Sequence, residues 1–141
     1  GLLSFREAPA LLAAIRELRT RPDVLMCDGQ GLAHPRRFGI ACHVGLLTGI
    51  PSIGCAKSIL IGEHGALKPT RGSKAALTDR GERVGTVLRT RDGVNPVYVS
   101  VGTAIDLPGA ERIVLMCSAG YRLPEPTRLA HQLCCKARLT A

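Results

Sequence analysis

Four side chains in this sequence are of the types that perform metal-assisted hydrolysis of a phosphodiester. Asp28 opens the tetrapeptide Asp-Gly-Gln-Gly and Lys57 closes a short apolar run, while Glu7 and His131 lie in segments with helical spacing. Hard ions such as Mg²⁺ and Mn²⁺ prefer carboxylate oxygens, and they lower the pKa of a bound water. A lysine beside them could contact a phosphate or neutralise a developing negative charge. Together these residue types suggest hydrolysis of a phosphodiester.

Each of these residues also has a purely structural interpretation. Asp28 could cap a turn in which the glycines only supply positive φ. Glu7, just before or in the first turn of a predicted helix, could complement the helix dipole. His131 could be a half-buried histidine with satisfied hydrogen bonds, and Lys57 could extend along apolar surface into solvent. A single Asp-Gly-x-Gly is a weak signal, so spacing alone leaves both interpretations open.

The elements that must position Asp28 and Lys57 form a strand–helix–strand pattern. Short continuous apolar runs at residues 23–27 and 52–56 are typical of strands buried on both faces. Residues 39–47, rich in small apolar side chains, predict a buried helix between them. Such a unit pairs its strands in parallel with a right-handed crossover. Asp28 is therefore expected at the carboxyl end of a parallel sheet, where ligands bind, with Lys57 near it.

The remaining segments predict further helices and an antiparallel hairpin, so the chain is expected to be an α/β protein. Apolar residues at spacings of three and four predict helices, and β-rich runs on either side of Arg91-Asp92-Gly93 predict antiparallel strands. A stretch rich in Gly, Pro, Lys and Arg predicts a surface excursion. The predicted helices are at residues 8–20, 107–119 and 127–138, the strands at 83–90 and 97–101, and the excursion at 62–83.

Length and charge limit the classes of protein to which the chain can belong. The 141 residues are 45% hydrophobic and 21% charged, which is typical of one globular domain spanning residues 1–141. A formal net charge of +8 suits a protein that meets phosphates, although it could also serve solubility alone. With no Trp, two Tyr and two Phe, a binder that holds single strands chiefly by base stacking is disfavoured. No apolar run approaches the ~18 residues of a membrane span.

The six cysteines do not indicate a disulfide framework or a zinc site. Four of them lie inside apolar stretches, where a free thiol behaves as a small hydrophobe, and no Cys-x-x-Cys occurs. Cys134 and Cys135 are adjacent and would point to different sides of a helix. We therefore expect a reducing compartment and a cytoplasmic protein.

Longer motifs resemble the endonuclease V family. The strings LLSFRE, PDVLMCDGQGLAHPRRFGIACHVGLLTGIPSIGCAKS and RLPEPTRLAH are similar to its bacterial members, and the DGxGxxHPRRFGIAxHxG block is highly specific. The resemblance implies an RNase H-like fold, a mixed sheet flanked by helices. It also implies a monomeric repair enzyme that hydrolyses the second phosphodiester bond 3′ to deoxyinosine with Mg²⁺ or Mn²⁺. Inosine-containing DNA is then the expected partner, and 3′-hydroxyl and 5′-phosphate ends are the expected products.

The resemblance assigns roles residue by residue. Glu7 and Asp28 match active-site carboxylates that bind metal, and His131 falls where the family places a His or Asp near the metal. Lys57 matches a lysine beside the scissile phosphate. An imidazole ligand suits Mn²⁺ better than Mg²⁺, which leaves the ion open. The positions that match the pocket for the flipped hypoxanthine are Gly1, Leu3, Gly29, Gly39, Ile40 and Leu60. Those expected to position the DNA strand are His34, Arg36 and Arg37.

Two departures from the family pattern keep alternatives open. The family begins with a segment that supplies early strands, a catalytic aspartate and a Pro-Tyr-Ile-Pro wedge, and Gly1 matches the position after that wedge. We therefore expect a domain that lacks these N-terminal strands and one anionic metal ligand. Thr103 stands where the family commonly has histidine. The alternatives are a catalytically incomplete fragment that only binds nucleic acid, and an endoribonuclease specific for inosine in RNA.

Overall fold

The computed structural model describes the backbone of residues 2–140 and the side chains of residues 5–136. Over this range, helices lie on both sides of one sheet. The helices are α1 (Leu2–Arg16), α2 (Ile40–Thr48), α3 (Leu107–Met116) and α4 (Glu125–Thr140). The strands are β1 (Leu25–Cys27), β2 (Ser52–Ala56), β3 (Lys74–Asp79), β4 (Glu82–Leu88) and β5 (Val97–Val101).

The sheet is mixed, with the strand order β1-β2-β5-β4-β3. β1 pairs in parallel with β2, so that Leu25 lies opposite Ser52 and Cys27 opposite Gly54. The pairs β2–β5, β5–β4 and β4–β3 are antiparallel. The predicted α/β class, the parallel strand–helix–strand unit and the β4–β5 hairpin are confirmed.

Glycines define both ends of α2, the helix that crosses between β1 and β2. Gly39 precedes the helix in an extended conformation, and Gly49 follows it with φ 72°, donating its N–H to the Gly45 carbonyl at 2.9 Å. Between them, Ala41 and Val44 are buried against the sheet side of the helix. The small residues let α2 lie close to the sheet, and β1 and β2 finish at the same edge because they are parallel.

The core has two clusters, which reflects the alternation of side chains along the strands. The larger cluster joins residues of β2, β4 and β5 to Ala110 and Val114 of α3. The smaller cluster contains Leu77, Val84 and Val87, together with Ala33 from the loop after β1. This loop carries residues expected to contact nucleic acid, so its anchoring in the core fixes them relative to the sheet.

Three predicted boundaries were wrong. The helix predicted at residues 8–20 runs over Leu2–Arg16, so Glu7 lies in its second turn and not at its start. The excursion at residues 62–83 includes β3 and the first residues of β4. The helix predicted at 107–119 ends at Met116, where the Cys117 N–H bonds back to the Ile113 carbonyl at 3.0 Å.

The missed strand β3 is joined to β4 by a tight turn. Arg80 and Gly81 have φ values of 53° and 76°, the two positive φ angles that a type I′ hairpin turn requires. Most such turns are signalled by Asn-Gly or Asp-Gly, and here Arg occupies the first position. Among the described helices, none is long and apolar enough to cross a membrane.

Candidate functional site

The ends of β1 and β2 bring Asp28 and Lys57 into direct contact. Lys57 Nζ lies 2.9 Å from Asp28 Oδ2, and the two side chains are 35% and 42% exposed. The parallel register of the strands produces this contact, since each residue directly follows the last residue of its strand. The predicted proximity of the two residues is confirmed, and their partial exposure leaves the pair accessible to a ligand.

The turn that carries Asp28 is fixed by hydrogen bonds to neighbouring elements. The Gly31 N–H donates to Oγ of Ser100 at 2.8 Å, and Ser100 itself is buried in β5. The Gly31 carbonyl accepts the Gly39 N–H at 3.0 Å, and the Gly29 N–H donates to the Cys27 carbonyl at 3.0 Å. Because these bonds connect the turn to β5, to the residue before α2 and to the end of β1, the turn has a defined position on the sheet.

Glycine is required at several positions of this region because backbone segments lie too close together to admit a Cβ. A Cβ on Gly31 would lie 2.1 Å from the Val101 carbonyl oxygen, and one on Gly54 would lie 2.4 Å from the Gly31 nitrogen. One on Gly39 would lie 2.2 Å from the Gln30 carbonyl oxygen. Real Cβ atoms do not approach backbone so closely, so the Asp-Gly-Gln-Gly turn lies directly on the strands beneath it.

A cavity of about 450 Å³ joins Asp28 to Glu7 of α1 and His131 of α4. Its remaining lining is mostly apolar and comes from α1, β1, α2 and α4. These further residues are Leu11, Ile15, Leu25, Met26, Cys27, Ile40, Val44, Thr127, Ala130 and Cys134. The three residues predicted to bind metal therefore line the same cavity, although they are distant in sequence.

The types of side chain at the cavity suit a hard divalent ion, because two carboxylates and an imidazole line it. Within the part of the chain that the structure describes, no three Asp, Glu, His or Cys residues are grouped closely enough to hold an ion. Asp28 Oδ2 is paired with Lys57. The His131 side chain is exposed at the cavity, and its Nε2 lies 3.7 Å from Cys135 Sγ.

The buried thiols near the cavity are held in the neutral form. Burial, with a smaller contribution from Cys42, raises the pKa of Cys27 to about 11. Burial also raises the pKa of Cys55 to about 12, and the nearby Asp28 carboxylate adds to that effect. Since the thiolate is the nucleophilic form of cysteine, neither thiol is activated for covalent catalysis.

The residues expected to position DNA differ in their surroundings. His34 is buried, its Nδ1 accepts the Arg36 N–H at 3.1 Å, and burial lowers its pKa below the ordinary value. Arg37 forms ion pairs with Asp79 at 2.9 Å and Glu82 at 3.0 Å, which tie the loop to the β3–β4 hairpin. The Arg36 side chain is exposed. Of the three, Arg36 is thus the one presented to solvent.

Some of the residues expected around the flipped base lie close together. Gly29 and Ile40 are adjacent, since a Cβ on Gly29 would meet Cγ2 of Ile40 at 2.9 Å. Leu60 is 54% exposed on the segment after Lys57. Gly1 and the side chain of Leu3 lie outside the described residues. Their predicted roles stay predictions.

Sequence reasoning missed Arg122, a residue that holds the end of β2 in place. Its Nη2 donates to the Lys57 carbonyl at 2.6 Å and to the Pro96 carbonyl at 2.9 Å, and its Nε donates to the Asn95 carbonyl at 2.9 Å. Its place at the start of the RLPEPTRLAH string is the signal that the sequence offers for this role. Ser100, which accepts the Gly31 N–H, was also missed; it is a polar residue within the apolar run of β5, but that pattern does not indicate its partner.

Thr103, the departure from the family pattern, has a structural role here. Its Oγ1 donates to the Ile50 carbonyl at 3.1 Å, and its N–H donates to Ser52 Oγ at 3.0 Å. The space beside it is tight, since a Cβ on Gly45 would lie 2.2 Å from Thr103 Oγ1. Thr103 therefore helps to hold α2 against β2 and the end of β5.

Comparison with known proteins links this geometry to one family. The Endonuclease V family model matches residues 1–132. Endonuclease V of Myxococcus xanthus is 62% identical over 133 residues, which is 94% of this chain and 57% of that protein. The crystal structure of Endonuclease V from Streptomyces avermitilis matches with a TM-score of 0.94 and 47% identity, covering 99% of this chain and 62% of that chain.

A further solved relative contains nucleic acid. Endonuclease V of Ciona intestinalis, in complex with a 24mer DNA containing an inosine followed by a ribo-adenosine, matches with a TM-score of 0.82 and 27% identity. The match covers 98% of this chain and 66% of that one. The likeness to these structures supports the RNase H-like α/β fold that the motifs implied. The chain spans 57% of the length of the curated relative and 62% of the bacterial structure.

Proposed function

The chain belongs to the endonuclease V family, and we propose that it acts in DNA repair by hydrolysing the second phosphodiester bond 3′ to deoxyinosine. The observation that carries this proposal is the Asp28–Lys57 ion pair, which lies beside the cavity shared with Glu7 and His131. The net charge of +8 supports a polyanionic substrate. The DNA bound to the Ciona intestinalis relative supports inosine-containing nucleic acid as the ligand.

The residues that would hold a divalent ion are Asp28, Glu7 and His131. When bound, Mg²⁺ or Mn²⁺ would activate solvent as the nucleophile and stabilise charge on the phosphate oxygens. The two carboxylates favour Mg²⁺ and the imidazole favours Mn²⁺, so the donor set supports either ion. Two carboxylates and one imidazole leave coordination positions for water and for substrate oxygens.

Lys57 would contribute charge at the scissile phosphate. Its ammonium group is held beside Asp28 and can donate a second hydrogen bond from Nζ to a phosphate oxygen without losing the first. A fixed cation at this point favours the additional negative charge of the transition state. Arg122 keeps the Lys57 backbone in place through the Lys57 carbonyl, so the side chain starts from a defined position.

The glycine-rich turn would receive the extruded base. Gly29 and Ile40 are adjacent and partly exposed, and they present backbone and one apolar side chain that can hold a planar base by shape and by main-chain hydrogen bonds. Gly39 is buried and packs against the Gln30 carbonyl. Since inosine pairs weakly, its extraction costs less than that of a normal base, which favours it as the substrate. The neutral state of Cys27 agrees with attack by solvent and not by a thiolate.

The direct test is cleavage of an end-labelled duplex that contains one deoxyinosine. Joined to the N-terminal segment that the family supplies, and with Mg²⁺ or Mn²⁺, the chain should nick the inosine strand at the second bond on its 3′ side, and chelation should stop the reaction. Asp28→Ala should abolish nicking, while Gly65→Ala, at an open surface position, should leave it unchanged. Undiminished nicking by Asp28→Ala would overturn the assignment of the site.

A second candidate function is nucleic-acid binding without turnover. It is favoured by the absence, within the described residues, of a compact group of three metal ligands. On this hypothesis the chain binds inosine-containing DNA with an affinity that falls steeply with salt, and no cleavage occurs at any metal concentration. Metal-dependent nicking by the chain itself would exclude it.

A third candidate is cleavage of RNA that contains inosine. The ribo-adenosine that follows inosine in the Ciona intestinalis complex motivates this comparison. Matched DNA, RNA and single-ribonucleotide substrates separate the two activities, because the 2′-hydroxyl is the group that differs. Faster cleavage of RNA than of DNA would assign inosine in RNA, and not deoxyinosine in DNA, as the substrate.

We also propose that the protein is a cytoplasmic monomer. All six cysteines are free in the described residues, which supports a reducing compartment, and the monomer is what the family resemblance implies. Light scattering at several concentrations tests the monomer, and fractionation of cells that express the protein tests its location.

A further inference from the structure

We propose that the ring of Tyr121, covered on one face by the Arg128 guanidinium, stacks against a nucleobase of the bound strand. The inference rests on the proposed function, since it requires nucleic acid as the ligand. It adds a base contact outside the cavity that contains Asp28.

The ring is paired with a cation and is still open to solvent. The Arg128 guanidinium carbon lies 4.1 Å from the ring centroid, yet Tyr121 is 53% exposed. The Nε atom of Arg128 is buried and has no hydrogen-bond partner within the described residues. Nε therefore adds no hydrogen bond to the contact between this guanidinium and the ring. Aromatic rings and arginine planes are the groups on which nucleobases stack.

Tyr121 is connected to the proposed site through the residue that follows it in sequence. Arg122 donates to the Lys57 carbonyl at 2.6 Å, which joins this loop to the end of β2. Arg128 precedes His131 by three residues on α4, so the two side chains are neighbours along the helix. A strand whose phosphate contacts Lys57 would therefore pass near Tyr121 with one of its bases.

The loop that carries Tyr121 is held before any ligand binds. Arg122 donates to the carbonyls of Asn95 and Pro96, both at 2.9 Å, and its own carbonyl accepts the Thr90 hydroxyl at 2.5 Å. Because the backbone is already ordered, stacking on the ring costs little conformational entropy. A rigid aromatic side chain is most effective in recognition when it is positioned in this way.

The other aromatic residues are less suited to this role. Tyr98 packs against the smaller core cluster, and the ring of Phe38 lies 5.6 Å from that of His43. Phe5 is 63% exposed, but it packs edge-on against His43 and carries no arginine. Phe5 therefore offers a matched control, an exposed ring without a cation on its face.

Intrinsic fluorescence provides a direct test, because the chain has no Trp and only two Tyr. Single-stranded DNA that contains inosine is added in EDTA, so that binding is measured without cleavage. Stacking should quench the tyrosine signal as the complex forms, and Tyr121→Phe should abolish the quenching while it keeps the affinity. Tyr121→Leu should raise Kd roughly 5- to 100-fold, and Phe5→Leu should change it less than about 2-fold.

The outcomes separate this inference from the proposed function. If wild-type protein binds DNA and Tyr121→Leu binds equally well, the stacking contact is wrong and the proposed function stands. Quenching that persists in Tyr121→Phe would assign the signal to Tyr98 and would also overturn the inference. If the folded wild-type chain binds no nucleic acid, both proposals fail. Thermal melting of each variant establishes that it is folded.

Discussion

The ammonium nitrogen of Lys57 lies 2.9 Å from Oδ2 of Asp28, across the ends of two parallel strands. Both side chains are more than a third exposed, and ion pairs in such surroundings contribute only about 0–1 kcal/mol to stability. The contact is therefore a poor explanation for the stability of the fold. It places a cation and an anion side by side at the cavity, where a phosphate and a divalent ion could each find the opposite charge.

The first prediction separates activity from stability at Lys57. Lys57→Met should slow nicking of an inosine-containing duplex by roughly 100- to 1000-fold, because a fixed charge at the phosphate is lost. The free energy of unfolding should change by less than about 1 kcal/mol, since the pair is partly exposed. Single-turnover cleavage and urea denaturation measure the two quantities.

Lys68→Met is the matched control, because it removes an exposed lysine that has no role in the proposed site. It should leave both the cleavage rate and the unfolding free energy unchanged. Equal cleavage by Lys57→Met and Lys68→Met would show that Lys57 has no part in the reaction.

The second prediction concerns the close packing beneath the Asp28 turn. A Cβ on Gly54 would lie 2.4 Å from the Gly31 nitrogen and 2.7 Å from the Gly29 carbonyl oxygen. Gly54→Ala should therefore destabilise the protein by about 1–3 kcal/mol, because backbone must move to admit the methyl group. The midpoint of urea unfolding measures this loss.

Gly65→Ala provides the comparison, since no heavy atom lies within 4 Å of its added Cβ. Its stability should stay within about 0.5 kcal/mol of the wild type. If the two variants unfold at the same urea concentration, the turn does not lie on β2 as closely as described.

The part of the site formed by β1, α2 and β2 was predictable because local signals agreed there. Two continuous apolar runs, a glycine-bounded run of small residues and the right-handed crossover rule together lead to one arrangement. That arrangement places Asp28 and Lys57 at one edge, as observed. No local signal gives the contact of Ser100 with Gly31, because 69 residues separate them.

The wrong boundaries have physical reasons. Pro9 lies inside α1, although proline is expected in the first turn of a helix, and this favoured a start near Ala8. β3 is one of the two edge strands of the described sheet and is only partly buried, so its apolar signal is weak. The position of Glu7 in the cavity depends on how α1 packs against α2, a tertiary contact that periodicity does not contain.

The third prediction uses the buried imidazole of His34. Burial lowers its pKa from the ordinary value of 6.5, so the unfolded chain binds more protons than the folded protein in the interval between the two pKa values. Stability should therefore be complete above pH 6.5 and should fall as the pH drops through the folded-state pKa. Urea unfolding at several pH values between about 5 and 7.5 measures the effect.

His34→Asn isolates this contribution. Its side-chain oxygen can accept the Arg36 N–H that Nδ1 accepts in the wild type, and it does not titrate. The difference in unfolding free energy between wild type and variant should shrink on acidification. A difference that is constant with pH would show that His34 has the same pKa in both states.

The fourth prediction concerns the six thiols. Cys134 and Cys135 are exposed, whereas Cys42 and Cys55 are buried and Cys27 lies half-buried beside Asp28. Burial raises the pKa of Cys27 to about 11 and that of Cys55 to about 12, so their thiolate fractions near neutral pH are very small. A brief pulse of N-ethylmaleimide should therefore label Cys134 and Cys135 first. Peptide mass spectrometry identifies the labelled positions, and the same pulse in urea should label all six.

The order of labelling also tests the cavity. Cys134 and Cys27 line the same space from α4 and β1, so a reagent that enters it meets both thiols. Cys134 is exposed, whereas Cys27 is half-buried and has a raised pKa, so labelling of Cys27 should be slow at neutral pH and should accelerate as the pH approaches 11. Rapid labelling of Cys27 at neutral pH would contradict its partial burial and, with it, the apolar lining that surrounds Asp28.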